Sequence, residues 1–125
     1  MAAGKGLSAK ARAELVRPNL PIAGATQFPP FVIRDDPGNA KVGLAAGLGV
    51  VVFDGPRGRV FFKGGHNDIT DNQMICVDRA ARCILILTNS GVGARAFPAL
   101  TEAALGDIGM PWRWEYGPAQ PAAAP

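Results

Sequence analysis

The apolar residues of the chain are concentrated in four runs between residues 48 and 89. Residues 48–54 and 59–63 are rich in valine and phenylalanine and flank a Gly-Pro-Arg-Gly turn. Residues 73–78 and 82–89 flank a second short turn. β-Branched and aromatic runs on either side of a Gly/Pro turn are typical of a β-hairpin. The pattern therefore predicts four strands in two hairpins.

One run has no polar position. Residues 83–87 read Cys-Ile-Leu-Ile-Leu, and a strand that is apolar on both faces is expected to be covered on both faces. The run therefore predicts a central strand with something packed on each side. Because one helix covers only one face, we expect the chain to be a piece of a larger domain, or its sheet to pair with a second copy. An uncovered apolar face would favour self-association.

Two segments have helical patterns. Residues 8–16 are rich in helix formers, with Ser8 as N-cap, and Pro18 ends the helix because the residue before a proline avoids the helical region. Residues 92–106 place apolar side chains on one face at helical spacing and end at a glycine. Proline is tolerated only in the first turn of a helix, so Pro98 favours a start later than residue 92.

A length of 125 residues allows one domain. We expect a helix in residues 1–17, a Pro-rich loop or linker in residues 18–46, the sheet with the C-terminal helix in residues 47–116, and a disordered tail in residues 117–125. The fold class is then α+β, with an antiparallel sheet of about four strands and a C-terminal helix packed on one face.

Charge and composition exclude several classes of function. The net charge of +3 comes without a basic run, so we expect no nucleic-acid partner. No apolar run approaches the roughly 18 residues of a membrane span, and the first residues lack the apolar stretch of a signal peptide. Two cysteines and one histidine do not supply the four ligands of a structural zinc site, and no phosphate-loop pattern is present. We therefore expect neither a metal nor a cofactor.

The segment with the most distinctive chemistry is residues 61–68, which read Phe-Phe-Lys-Gly-Gly-His-Asn-Asp. Taken alone, it fits a lysine at the end of a strand before a turn. It is followed, however, by a strand, a turn, an apolar strand ending in Thr-Asn, and a helix. In that order, about residues 6–115 resemble the C-terminal part of the serine β-lactamase and penicillin-binding-protein superfamily. The resemblance is closest to its class C β-lactamase, D-alanyl-D-alanine carboxypeptidase and esterase branch.

Lys63-Gly64-Gly65 is similar to the third sequence box of that superfamily, Lys-Thr-Gly, with glycine in place of threonine at position 64. The resemblance implies a partial β-lactamase-like fold and acyl-enzyme chemistry at a serine. It also implies that Lys63 orients a substrate carboxylate and that Gly64 and Gly65 let the substrate lie along the strand edge. The backbone N–H of His66 would be an oxyanion donor. Without the threonine hydroxyl, an esterase or peptidase is favoured over a β-lactam-specific relative.

The nucleophile box of the superfamily is missing from this chain. Its two serines, Ser8 and Ser90, are followed three residues later by Ala11 and Gly93 rather than by lysine, and its only tyrosine, Tyr116, precedes Gly-Pro. We therefore expect the C-terminal third of such a hydrolase, truncated or split, which is inactive alone. A small-molecule or peptide substrate would require the missing N-terminal part. The alternatives are a non-catalytic interaction module and one half of a split hydrolase completed by a partner chain.

The two cysteines lie on the two strands of the second predicted hairpin. If Asp78 and Ala81 close its turn, Cys76 and Cys83 are directly opposite each other and within disulfide reach. A shift of one residue in register would place them on opposite faces. A bridge and a pair of free, buried thiols are both compatible with the sequence, and we favour the free thiols.

Other residues suggest chemistry less specifically. His66 with Ser90 and either Asp68 or Asp71 would make a catalytic triad, and the two aspartates a carboxylate pair. Asn-Asp and Thr-Asp-Asn sequences more often stabilise turns, which is the interpretation we favour.

The aromatic segment 110–116 contains Trp112 and Trp114. They would form either a ligand platform or one wall of a packed edge, and we favour the packed edge.

Overall fold

The computed structural model of the protein describes residues 6–27 and 34–116. Its elements are, in chain order, α1 Ala9–Leu15, β1 Leu20–Pro21, α2 Pro37–Lys41, β2 Ala45–Ala46, β3 Val51–Gly55, β4 Gly58–His66, β5 Asp71–Val77, β6 Arg82–Leu87, a 3₁₀ helix Gly93–Ala96, α3 Phe97–Leu105 and α4 Trp112–Tyr116. The strands of the described residues form one antiparallel sheet in the order β1-β2-β3-β4-β5-β6. The fold is α+β with a C-terminal helix, as predicted, but the sheet has six strands rather than about four.

The two additional strands lie in residues 18–46, where the sequence predicts a Pro-rich loop or linker. Leu20 and Pro21 of β1 pair with Ala46 and Ala45 of β2. Such short strands leave no periodic pattern in the sequence, and proline is tolerated in β1 because it is an edge strand. The same segment also contains α2.

The two predicted hairpins form the centre of the sheet. A two-residue turn joins β3 to β4 and is closed by Gly55 paired with Gly58. Gly58 has a φ of 104°, a conformation that favours glycine. In the second hairpin, Cys76 of β5 lies opposite Cys83 of β6, which is the register expected from a turn closed by Asp78.

The helix boundaries follow from their caps. Ser8 Oγ accepts a hydrogen bond from the Ala11 N–H at 3.1 Å and caps α1. The segment predicted as a helix from residue 92 begins as the 3₁₀ helix, and Pro98 lies in the first turn of α3. Gly106, with a φ of 72°, ends that helix. None of the helices in residues 6–27 and 34–116 is long and apolar enough to cross a lipid bilayer.

The five-residue helix α4 was not predicted, because so short an element has no helical period to detect. It lies in the aromatic segment that the sequence analysis expected to pack against a neighbouring surface. The expected tail, residues 117–125, lies outside the described residues.

The elements α3 and α4 cover one face of the sheet. The core on that face is formed by large apolar side chains from β3, β4, β5 and the C-terminal helices, among them Phe53, Val60, Phe62, Ile75, Val77, Leu105, Ile108 and Trp114. The ring of Phe62 makes edge-on contacts with Phe53 and Trp114, at centroid distances of 6.0 and 6.1 Å. Trp114 is 6% exposed and packs in this core, as the sequence analysis favoured. These contacts hold α4 against β4.

The element α1 covers part of the opposite face. Leu15 and Val16 pack against a second cluster that contains Val52, Phe61 and Cys76. This contact lies over β3, β4 and the end of β5.

The edge strand β6 differs between its two faces. Ile86 is 8% exposed and Ile84 packs against the helix-covered core, whereas Leu85 and Leu87 are 63% and 69% exposed. The prediction that residues 83–87 form a central strand covered on both faces is therefore wrong for the described part of the chain. Since β6 ends the sheet, one edge of this strand is also unpaired there.

Candidate functional site

The strand β4 has a neighbour on both sides along only part of its length. Its pairing with β3 ends at Val51 opposite Phe62, whereas its pairing with β5 continues to His66 opposite Asp71. Beyond Phe62, the side of β4 that faces β3 is therefore open within the described residues. A cleft of about 230 Å³ lies at this point and is lined by Lys63 and Gly64, among others.

The register also determines which backbone groups face the open side. In an antiparallel ladder, successive residues direct their N–H and C=O groups to opposite neighbours. The carbonyl of Arg59 accepts a hydrogen bond from Asp78 N at 2.9 Å, so the odd-numbered residues of β4 face β5. Gly64 and His66 consequently direct their N–H and C=O groups away from β5, towards the open edge.

Lys63, expected to be the cationic group of the site, is an exposed residue at the edge of the cleft. Its Nζ donates a hydrogen bond to the carbonyl oxygen of Gly64 at 2.6 Å. The ammonium group is therefore held beside the open strand edge.

Glu115 is the main feature of this site that the sequence analysis missed. It lies on α4, is 2% exposed, and also lines the cleft. Its carboxylate occupies the space over the α-carbon of Gly64, where any Cβ atom would collide with Glu115 Oε1. A Cβ atom on Gly65, by contrast, would meet nothing within 4 Å. A side chain at position 64 would therefore displace the Glu115 carboxyl group, whereas one at position 65 would displace nothing.

Burial raises the pKa of Glu115 from 4.5 to about 7, and the positive charge of Lys63 lowers it only in part. A carboxylate removed from water loses hydration that favours its charged form, and here no direct ion pair with Lys63 replaces it. Near neutral pH, the carboxyl group is therefore present in both its neutral and ionised forms.

Two polar side chains lie beside Glu115, one buried and one half-buried. Gln73 is 1% exposed, and its Oε1 accepts a hydrogen bond from the Tyr116 hydroxyl at 2.8 Å, while its Nε2 has no hydrogen-bond partner. Burial, followed by the charges of Glu115 and Asp71, raises the pKa of Tyr116, so its hydroxyl stays protonated and remains a donor.

Aromatic rings enclose the same region. Trp112 stacks on Tyr116 with a centroid distance of 6.2 Å, and the His66 ring lies 6.3 Å from Tyr116. Trp112 therefore packs against its own helix and the sheet end, in line with the packed-edge interpretation.

Gln27 completes the cleft from the N-terminal part of the chain. Its backbone N–H donates to the carbonyl of Trp114 at 2.9 Å, which ties this segment to α4. Its side-chain Oε1 is buried and has no hydrogen-bond partner. The sequence contains no pattern that indicates a role for Gln27, because only the tertiary structure brings it near Glu115.

The candidate triad residues have structural contacts. Asp71 is 6% exposed, and its Oδ2 accepts a hydrogen bond from Ala94 N at 2.9 Å. Ser90 Oγ accepts from Val92 N at 3.3 Å, and Asp68 is exposed. Asp71 and Ser90 thus stabilise the connection from β6 to the 3₁₀ helix, and Asp71 does so from strand β5 rather than from a turn.

Cys76 and Cys83 are joined by a disulfide bond. Their strands pair with the two residues directly opposite, which brings the two Cβ atoms close together. The structure therefore holds the bridge rather than the free thiols that the sequence analysis favoured. Within the described ranges, no group of three or more His, Cys, Asp or Glu side chains is placed to hold a metal ion.

Comparisons with protein-family models, with curated proteins and with solved structures found no match to this chain.

Proposed function

We propose that this chain is the substrate-binding, C-terminal segment of a serine hydrolase related to β-lactamases. In this proposal, an acyl or peptide substrate binds along the open edge of β4, and the nucleophilic serine comes from outside this sequence. The observation that carries the proposal is the end of the β3–β4 pairing at Phe62, immediately before Lys63-Gly64-Gly65.

An open strand edge beside a cleft is suited to an extended ligand. The N–H and C=O groups that Gly64 directs to the open side are the kind that pair with an added strand. Glycine at positions 64 and 65 keeps side chains off the edge.

The ammonium group of Lys63 supports recognition of a carboxylate. It lies at the cleft and is already hydrogen-bonded to Gly64, so a ligand carboxylate beside the strand would gain a charge-assisted contact. Residue 64 is glycine, so it has no hydroxyl group to donate to this carboxylate. The carboxyl group of Glu115 fills the space where a side chain of residue 64 would lie. We therefore favour an ester or peptide substrate over a β-lactam.

Catalysis by this chain alone is not part of the proposal, since neither serine is followed by lysine three residues later. We expect no turnover of a chromogenic cephalosporin or a short-chain nitrophenyl ester above the buffer rate. Turnover that disappears in Lys63→Ala would contradict this expectation.

Binding provides the direct test of the edge. N-acetyl-glycylglycine carries a C-terminal carboxylate. The matched compound N-acetyl-glycylglycinamide carries an uncharged amide in its place. In a titration followed by the backbone amide signals of Gly64 and His66, we expect the acid to bind about tenfold more tightly than the amide. The preference should be lost in Lys63→Ala and retained in Lys10→Ala, which removes an exposed lysine of α1. Equal binding of acid and amide to the wild-type chain would refute the proposed site.

A non-catalytic interaction module is the second candidate function. It is supported by Leu85 and Leu87, which are 63% and 69% exposed on the edge strand β6. Light scattering separates the candidates: concentration-dependent association that Leu85→Lys abolishes, together with no carboxylate-dependent ligand binding, would favour the module.

A further inference from the structure

We infer that Glu115 gives the cleft a second charged position, which binds the primary ammonium group of a short peptide or amino acid whose carboxylate contacts Lys63. The inference rests on the proposed function, because it concerns the same cleft and strand edge. It specifies the ligand class further, as a zwitterion with a free amino group.

Glu115 combines deep burial with access to the cleft. The residue is 2% exposed, yet its side chain is part of the cleft lining. Among the described residues, no ion pair joins it to Lys63, whose Nζ donates instead to the carbonyl of Gly64. Buried carboxylates are normally paired or hydrogen-bonded, so an unpaired one that faces a cleft is suited to a ligand that donates hydrogen bonds.

Gln27 supplies an independent acceptor in the same cleft. Its Oε1 is buried without a partner, and its backbone is hydrogen-bonded to Trp114, the residue before Glu115. A primary ammonium group has three donors and no acceptor, so its donors outnumber these two acceptors. A secondary amide has one N–H and no charge, and it would leave at least one of the two acceptors unsatisfied.

Lys63 and Glu115 give the cleft opposite charges at two positions. A ligand with a single carboxylate would contact Lys63 and leave Glu115 buried without a partner. A zwitterionic ligand pairs with both, and its charges complement those of the cleft. The cleft volume of about 230 Å³ has room for an amino acid or a dipeptide.

The binding should depend on pH. Because the pKa of Glu115 is raised to about 7, the carboxylate becomes ionised between pH 5.5 and 7.5, while a peptide amino group with a pKa near 8 stays mostly protonated. The other titratable groups around it are Lys63 and His66 on β4, Asp71 on β5 and Tyr116 on α4. The profile is measured in the wild-type chain and in a His66→Asn background, which removes the imidazole beside Tyr116.

The experiment compares glycylglycine with N-acetyl-glycylglycine, which has the same carboxylate but no ammonium group. We expect the wild-type chain to prefer glycylglycine by about tenfold at pH 7.5, and the preference to decline towards pH 5.5. Glu115→Gln should abolish both the preference and its pH dependence. The matched control, Glu102→Gln, removes an exposed glutamate of α3 and should leave both unchanged.

The outcomes separate this inference from the proposed function. Equal affinities for the two dipeptides, with binding still dependent on the carboxylate and on Lys63, would overturn the ammonium position alone. Binding that does not depend on the carboxylate would overturn the proposed edge site as well. Thermal unfolding of Glu115→Gln, measured in parallel, shows that the variant is folded, and a preference that persists in the folded variant refutes the role of Glu115.

Discussion

The two halves of β4 have opposite environments, although they belong to one continuous strand. Val60 and Phe62 are fully buried, pair with strands on both sides and contribute to the core. The residues from Lys63 to His66 pair with β5 but not with β3, and Lys63, Gly65 and His66 are exposed. The first half stabilises the fold, while the second half has no strand beside it on the β3 side within the described residues. A strand that is fixed by its buried half can offer the other half to a ligand without becoming disordered.

The first test of this comparison is a substitution that removes packing from the buried half of β4. We expect Phe62→Ala to lower the free energy of unfolding by about 3–5 kcal/mol, because it leaves a cavity between β3 and α4. Leu85→Ala on the edge strand serves as the control, since Leu85 is 63% exposed and its truncation should change stability by less than about 1 kcal/mol. Urea unfolding measures both variants. Similar losses in the two variants would mean that the packing of Phe62 against α4 does not hold in solution.

The second test concerns the carboxyl group beneath the open half. Because the pKa of Glu115 is about 7 in the folded chain and its ordinary value is 4.5, the folded state binds more protons between these two values. The stabilising effect is complete below about pH 4.5 and is lost as the pH rises through 7. From the two pKa values, the loss is on the order of 3 kcal/mol.

Urea unfolding between pH 5 and pH 8 checks this dependence. Glu115→Gln should remove most of it, because the amide cannot ionise, whereas Glu102→Gln should follow the wild-type curve. A Glu115→Gln variant with the same pH dependence as the wild type would show that another group causes the change in stability.

Sequence reasoning predicted the buried half of the sheet better than its margins. The two hairpins were predictable because valine and phenylalanine runs flank a Gly-Pro-Arg-Gly turn, and the opposition of Cys76 and Cys83 followed from the turn between them. The strands β1 and β2 were not predictable, since a two-residue strand is defined by its hydrogen bonds to neighbouring strands and has no sequence pattern of its own. The exposure of Leu85 and Leu87 was not predictable either, because an apolar run does not reveal which face lacks a neighbour.

The same limit applies to the candidate site. Lys63 and the two glycines attract attention in the sequence because they are adjacent and chemically distinctive. Glu115 and Gln27 reach the cleft only through tertiary packing, from positions 52 residues after Lys63 and 36 residues before it. The sequence therefore drew attention to this strand edge and missed the buried carboxyl group of Glu115 that lies beside it.

The third test uses the two neighbouring glycines of the open half. Neither has a positive φ, so alanine is compatible with the backbone at both positions. At position 64, the new methyl group would collide with Glu115 Oε1 and displace this buried carboxyl group, which we expect to lower the free energy of unfolding by about 1–3 kcal/mol. At position 65, the methyl group enters open space, and we expect Gly65→Ala to be neutral or slightly stabilising.

Chemical denaturation of Gly64→Ala, Gly65→Ala and the double variant Gly64→Ala/Glu115→Ala completes the comparison. The double variant makes room for the methyl group by removing the carboxyl group, so the additional cost of alanine at position 64 should largely disappear in a Glu115→Ala background. If the cost of Gly64→Ala were the same with and without the glutamate, the requirement for glycine would arise elsewhere on β4. If Gly65→Ala were as destabilising as Gly64→Ala, the open side of the strand would be occupied rather than free for a ligand.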